Sequence, residues 1–147
     1  MPDEAVPWSE VAARLAPART YWLCTTTPTG APHAAPVWGV VVDETLYLYS
    51  ERSTVKARNL AADPRMVLHL ESGEDVVIVR GTAEDLGTPA EVGHVVAALS
   101  AKYADPDDRP YLPDADPSFD VAYAIRPRSA MLWRLADYDA SQRRWTA

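Results

Sequence analysis

Alternation with period two runs through most of this chain. Phe119, Val121, Tyr123 and Ile125 alternate with Asp120, Ala122, Ala124 and Arg126, the pattern of a strand with one apolar face. Shorter strand-like runs, rich in aromatic and β-branched residues, cover residues 19–27, 32–42, 46–50, 65–70 and 75–83. The last of these holds four consecutive aliphatics, Val76 to Val79, and reads as buried on both faces. Pro127-Arg128-Ser129 reads as a turn into a final run, Ala130 to Leu135.

Helical spacing is rarer. Trp8, Val11, Ala12 and Leu15 form one face of a short helix that Pro17 ends. Val92, Val95, Val96, Leu99 and Tyr103 form a second stripe, with Thr88 as cap and Pro89 in the first turn. A third, short helix follows Ser50 and stops near Asp63-Pro64. Pro28-Thr29-Gly30, Asp43-Glu44-Thr45 and Ser72-Gly73-Glu74 are turn signals, so the first three strands are expected to be antiparallel neighbours. These connections are too short for a parallel βαβ sheet. The expectation is a mainly β single domain over residues 1–147: six or seven strands in a barrel or sandwich, with two or three flanking helices.

Two stretches break the pattern. Pro36 stands inside the run 32–42, although proline is confined to sheet edges and bulges, and Gly39 marks a point of close backbone approach. Residues 104–118 carry four prolines and five aspartates. So long a connection is functional or mobile, and a solvated loop and a lid over a site both fit.

Composition narrows the function. The chain has 147 residues and a formal net charge of −7, which argues against nucleic acid or an anionic membrane as partner. No apolar run is long enough to span a bilayer. The start, Met1 to Val6, lacks the basic-then-apolar order of a secretory signal, and the single cysteine, Cys24, excludes an internal disulfide. The expected location is cytoplasmic, with Cys24 a buried, inert thiol. His33, His69 and His94 lie far apart, so no metal site is expected. There is no G-x-G-x-x-G, P-loop or G-x-S-x-G. The absence of an obvious acid, base or nucleophile fits chemistry carried by a bound cofactor.

The segment Ser53-Thr54-Val55-Lys56-Ala57-Arg58 is where a phosphate would fit. Ser53 and Thr54 are N-cap residue types, and a helix start offers free N–H groups and the positive end of its dipole. Taken alone, the segment reads first as an ordinary capped helix with a solvated basic face.

In order, Pro28-Thr29-Gly30-Ala31-Pro32-His33-Ala34-Ala35-Pro36-Val37-Trp38, then Leu46 to Ser50, then Lys56-Ala57-Arg58-Asn59-Leu60-Ala61-Ala62-Asp63-Pro64-Arg65 resemble the pyridoxamine 5′-phosphate oxidase-like superfamily. The similarity is greatest to its small flavin- and deazaflavin-binding proteins of actinobacterial type. It extends from about Val11 to the closing Arg144-Trp145. The resemblance implies a six-stranded antiparallel split β-barrel and a homodimer with FMN or coenzyme F420 in a groove at its interface. By the same resemblance the backbone of Pro36, Val37 and Trp38 faces the ring, Tyr49 and Ser50 end the third strand beside it, and Thr54 and Lys56 hold the phosphate. Arg58 is nearby support, and Trp133 completes the candidate cofactor set. The aromatic load, with Trp38, Trp133 and Trp145, also fits an interface.

Departures from the family matter. Ala35 stands where pyridoxamine phosphate oxidases have a phosphate-binding arginine, and Val76 stands at about the place of a ring-contacting glutamine. The substrate-binding Arg-x-His is not visible. These losses argue against vitamin B6 oxidation and leave FMN and F420 as alternatives. The implied function is an oxidoreductase passing hydride to or from a small organic substrate. The alternative is a non-catalytic module that stores or senses the cofactor. A haem-binding role finds no compelling His or Cys ligand.

Overall fold

The computed structural model describes residues 4–147, so Met1, Pro2 and Asp3 of the N-terminal reading lie outside the described residues. The described chain opens with strand β1 (Glu4–Ala5), helix α1 (Trp8–Leu15), and strands β2 (Tyr21–Thr26), β3 (Pro32–Val37), β4 (Gly39–Val42) and β5 (Thr45–Ser50). Helix α2 (Val55–Ala62), β6 (Arg65–His69), β7 (Asp75–Asp85) and α3 (Gly93–Lys102) follow. The chain closes with β8 (Val121–Arg134), the single-turn helix α4 (Tyr138–Ser141) and β9 (Arg143–Thr146).

All nine strands belong to one mixed sheet. Antiparallel pairing runs β3-β2-β6-β7-β8-β5-β4, and β9 also pairs with β8. Among the described residues the single parallel contact is β1 with β9. Thus β3 and β4, at opposite ends of the main path, are joined through one residue, Trp38.

Two sequence expectations need correction here. The run 32–42 is not one strand: it changes partner at Trp38, β3 pairing with β2 and β4 with β5. Nor do residues 127–129 form a turn. β8 passes straight through them with a bulge, because Arg80 faces Ser129 while Gly81 faces Pro127, leaving Arg128 as the extra residue. A side chain on Gly81 would run into the Arg126 carbonyl and the Pro127 backbone. The two strands therefore meet too closely for anything but glycine, and the bulge tolerates the proline. Among the described residues, with β1, the split run and β9 counted, the strands outnumber the expected six or seven, and the α-helices are four against an expected two or three.

The main core lies inside the curved sheet. Leu23, Leu68, Val79 and Ala130 share a cross-strand row and point inward, joined by Val11 and Leu15 of α1. Each buried Leu or Val among them contributes about 1.5–3 kcal/mol. A smaller cluster packs α3 and the 104–118 connection onto the outside of β4 and β5 through Val40, Tyr49, Val95, Leu99, Tyr103 and Leu112. Leu112 is fully buried and pins the middle of that connection. The site depends on this second cluster.

Candidate functional site

The switch from β3 to β4, the end of β5 and the start of α2 meet around a groove of about 550 Å³. Its lining comprises Thr20, Pro36, Val37, Trp38, Tyr49, Ser50, Glu51, Thr54, Lys56, Tyr111 and Phe119. Local chemistry explains each wall. β3 pairs only with β2, so it is an edge strand that tolerates Pro32 and Pro36. Gly39 is the point of close backbone approach that the sequence suggested. A Cβ there would lie 2.6 Å from the Tyr47 carbonyl and 2.7 Å from a Leu48 methyl, so its close neighbour is β5, not a ligand in the groove.

Trp38 is held firmly. Its ring stacks on Tyr103 at 4.4 Å, the Arg19 guanidinium lies 4.8 Å from its centre, and Tyr111 meets it edge-on at 6.2 Å. The Tyr103 hydroxyl donates to the Arg19 carbonyl at 2.7 Å and accepts from the Gly39 N–H at 3.1 Å. Tyr49 donates its hydroxyl to the Tyr111 carbonyl at 2.6 Å, and burial pushes its pKa well above the usual tyrosine range. The connection 104–118 thus forms one wall of the groove through Tyr111, together with Phe119 directly after it.

At the helix end, Thr54 caps α2: its Oγ1 accepts the Ala57 N–H at 3.4 Å and donates to the Glu51 carbonyl at 2.7 Å. Its hydroxyl proton is therefore committed to the backbone. Ser50 Oγ is then the donor in its 3.3 Å contact with Thr54 Oγ1, a long bond that a ligand oxygen could replace. Lys56 is half-buried, and among the described residues no hydrogen-bond or ion-pair partner engages its ammonium. Burial pulls its pKa below the usual lysine range, and the negative charge of Glu51 acts against that shift.

Of the residues singled out in the sequence, Pro36, Val37, Trp38, Tyr49, Ser50, Thr54 and Lys56 share this groove. Arg58 does not line it; it stands exposed on α2. Arg52, the other nearby cation, is tied to Asp85 by two hydrogen bonds of 2.7 and 3.0 Å. Trp133 is elsewhere, paired with Val76 across β7 and β8 and set edge-on against Tyr138 at 5.8 Å. It lines a separate cleft with Met131, Tyr138 and Arg143. Cys24 is half-buried, not buried, with its thiol pKa raised by desolvation. No histidine or cysteine lines the groove. Sequence reasoning did not select Thr20, Glu51 or Phe119 as site residues. The one phenylalanine of the chain, next to a Pro/Asp-rich stretch, was the available signal for the last.

Comparison with known proteins is consistent with this geometry. Among curated proteins none matches the sequence. A conserved hypothetical protein of Mycobacterium tuberculosis superposes with a TM-score of 0.73 at 26% identity, covering 90% of this chain and 87% of its own. A structure described as an F420 reductase gives a TM-score of 0.62 at 24% identity, over 80% of this chain and 93% of its own. A haem-binding protein of Mycobacterium smegmatis gives 0.68 at 23%, over 85% of this chain but 52% of its own. The last two likenesses are of fold. The pyridoxamine 5′-phosphate oxidase family matches residues 8–131, most of the chain, and this protein belongs to it.

Proposed function

We propose that the groove binds FMN or the deazaflavin coenzyme F420, and that the protein is an oxidoreductase acting on a small organic substrate. The observation that carries this reading is Lys56: a half-buried ammonium without a hydrogen-bond partner, at one end of a groove floored by Pro36, Val37 and Trp38. A mostly apolar cleft of this size with a few convergent polar groups suits a flat ring with a charged tail. The free N–H groups at the start of α2, Ser50 and Lys56 would take the phosphate. Pro36 to Trp38 would lie along the ring, with Tyr111 and Phe119 excluding water from its side. When bound, the cofactor supplies the hydride chemistry; the protein supplies position and electrostatics. The F420 reductase likeness supports the choice of ligand class.

With β3 and β4 counted as one strand broken at Trp38, the pairing path β3-β2-β6-β7-β8-β5-β4 is on this reading the six-stranded split barrel of the family. We further propose a homodimer. In the register, Trp22, His69, Ile78 and Met131 form one half-buried row on the outer sheet face, with Trp133 beyond it. A second copy on that face would bury on the order of 2,000 Å², and Trp133 would reach a cofactor only across the subunit boundary. Light scattering showing a monomer at micromolar concentration would refute it.

A second reading, a non-catalytic carrier or sensor of the same cofactor, is favoured by one observation. Tyr49, the tyrosine buried in the groove wall, spends its proton on the Tyr111 carbonyl and is not a ready donor. The test of both begins with the visible spectrum of the purified protein and mass spectrometry of whatever heat releases. FMN or F420 is the expected release; haem, or failure to bind either cofactor on titration, overturns the proposal. Turnover of bound cofactor with candidate substrates then separates enzyme from carrier.

A further inference from the structure

A double bond that takes up a hydride must also take up a proton, and a positioned side chain is the usual source. Of the chain's seven tyrosines, Tyr49 and Tyr111 line the groove. The Tyr49 proton is spent on the Tyr111 carbonyl. The hydroxyl protons of Ser50 and Thr54 go to Thr54 Oγ1 and the Glu51 carbonyl. Lys56 stands at the phosphate end on the reading above. Tyr111 differs from all of these: among the described residues no hydrogen bond engages its hydroxyl. Thr20 and the Trp38 indole also line the groove, but neither an alcohol nor an indole gives up its proton as a phenol does.

The backbone of Tyr111 is pinned, and its side chain is not covered. Its carbonyl accepts from Tyr49, and its N–H donates to the Asp108 carbonyl at 3.0 Å. Arg19 holds Asp108, and the next residue, Leu112, is fully buried. Yet Tyr111 itself is 61% exposed, the highest value among the large hydrophobic side chains of the described residues. Its ring meets Trp38, in the groove floor, edge-on at 6.2 Å. A phenol carried on a fixed backbone beside that floor is a preorganised donor.

On the enzyme reading above, we propose that Tyr111 is the catalytic acid of the reaction. The substrate takes a hydride from the reduced cofactor at one end of a polarised double bond or conjugated system. The two electrons of the hydride form the new bond there, and the π pair moves to the other end. The Tyr111 O–H bond breaks, its proton joins that pair, and the phenolate regains a proton from water. The substrate has then gained one hydride and one proton, the cofactor is oxidised by two electrons, and Tyr111 is unchanged.

The test compares wild type with Tyr111→Phe, which keeps the ring and removes the hydroxyl. Both are loaded with whichever of FMN and F420 the wild type binds. Cofactor affinity should agree within about twofold, and thermal melts of the unliganded proteins should coincide, because no bond within the described chain uses the hydroxyl. Binding of 4-nitrophenolate to the oxidised holo-proteins is followed by its absorbance; its oxygen accepts a hydrogen bond as a substrate's proton-accepting end would. Tyr111→Phe should bind it about tenfold more weakly or worse, the scale for a hydrogen bond to a charged acceptor. The reduced holo-proteins are then mixed anaerobically with menadione, a quinone that takes up one hydride and one proton. Tyr111→Phe should slow reoxidation about a hundredfold or more, and the solvent deuterium isotope effect of wild type should disappear.

No nitrophenolate binding to wild type, equal binding to both proteins, or reoxidation of the variant at the wild-type rate would overturn the assignment and leave the enzyme reading intact. A rate loss matched by a loss of cofactor affinity, or accompanied by a lower melting temperature, would make Tyr111 a structural part of the wall and overturn it as well. If menadione reoxidises the wild-type holo-protein no faster than free cofactor, the carrier reading replaces the enzyme reading and this inference falls with it. If neither cofactor binds, the cofactor reading itself falls, and this inference with it.

Discussion

Arg19 grips Asp108 with both terminal nitrogens, each hydrogen bond 2.8 Å long. This pair fastens the 104–118 connection to the start of β2, next to the Trp38 ring on which the same guanidinium lies. Planar, two-point geometry of this kind gives an ion pair direction as well as charge. With Leu112 buried behind it and the Tyr111 carbonyl held by Tyr49, it makes the connection an ordered wall.

That wall should come loose in acid. The Arg19 guanidinium holds the Asp108 carboxyl below the usual aspartate range. A carboxylate with a depressed folded-state pKa adds stability above its unfolded pKa, and the contribution is lost as pH falls through the folded value. Proteolysis within residues 104–118 should therefore be slow at neutral pH and rise below about pH 4, the ordinary aspartate value. Asp108→Asn should show the fast rate at neutral pH already, with little further change on acidification. Equal rates for wild type and variant at pH 7 would show that the pair does not hold the wall.

Lys102 predicts a slope of the same sign at the alkaline side, for a different reason. Its ammonium donates to the Tyr21 hydroxyl at 2.9 Å and the Gly39 carbonyl at 2.8 Å, yet burial pulls its pKa down to about 8. The unfolded chain binds this proton more tightly than the folded one, so stability rises with pH from the folded value of about 8 toward the unfolded one. Tyrosine works against this above about pH 10, because burial raises Tyr103 and Tyr123 to about 12 and their unfolded forms ionise first. Urea unfolding between pH 7 and 10 should show a gain of about 1–2 kcal/mol. That is less than the full linkage value of about 1.4 kcal/mol per pKa unit, because solvent reaches much of the group. In Lys102→Met the gain should disappear; a slope that survives the substitution would assign it to other groups.

Gly39→Ala tests the packing beneath the groove. The new methyl would meet the Tyr47 carbonyl at 2.6 Å, and backbone cannot move aside as a side-chain tip can. Parting β4 from β5 should cost about 1–3 kcal/mol, the range for overpacking, seen as a lower urea midpoint at unchanged m-value. Stability equal to wild type would mean that the β4–β5 contact yields freely.

How far the sequence announces this structure depends on whether a feature is local. The alternation from Phe119 to Arg126 identifies β8, and Thr54 identifies the start of α2, because strand period and capping are written in adjacent residues. The resemblance to the pyridoxamine 5′-phosphate oxidase-like superfamily, and not strand period or capping, points to much of the groove: Pro36, Val37 and Trp38, Tyr49 and Ser50, Thr54 and Lys56. What a sequence reading misses here depends on distant partners. Trp38 breaks a run whose residues on either side look alike, and only the exchange of β2 for β5 as partner reveals the break. Pro127-Arg128-Ser129 has turn composition, but Gly81 on the neighbouring strand makes it a bulge. Glu51 looks like any solvated glutamate until Ser118, far along the chain, is seen to hold it at the groove.

Lys56 provides the most direct test of the proposed site. A lysine serves a phosphate as a mobile point charge, while the start of α2 supplies directed donors. With Thr54 committed to the backbone and Arg52 to Asp85, no second cation in the lining shares the load. Lys56→Ala should therefore weaken cofactor binding by about 1.5–3 kcal/mol, the range for hydrogen bonds to charged groups. That is about tenfold to somewhat over a hundredfold in dissociation constant. Folding should not suffer, because a half-buried ammonium without a hydrogen-bond partner adds little to packing, and its removal relieves the desolvation that lowers its pKa. The thermal melt of the unliganded variant should match or slightly exceed that of wild type. Titration with FMN and with F420, alongside those melts, checks both halves. Unchanged affinity for both cofactors would return Lys56 to an ordinary helix-surface residue and remove the observation on which the functional proposal rests.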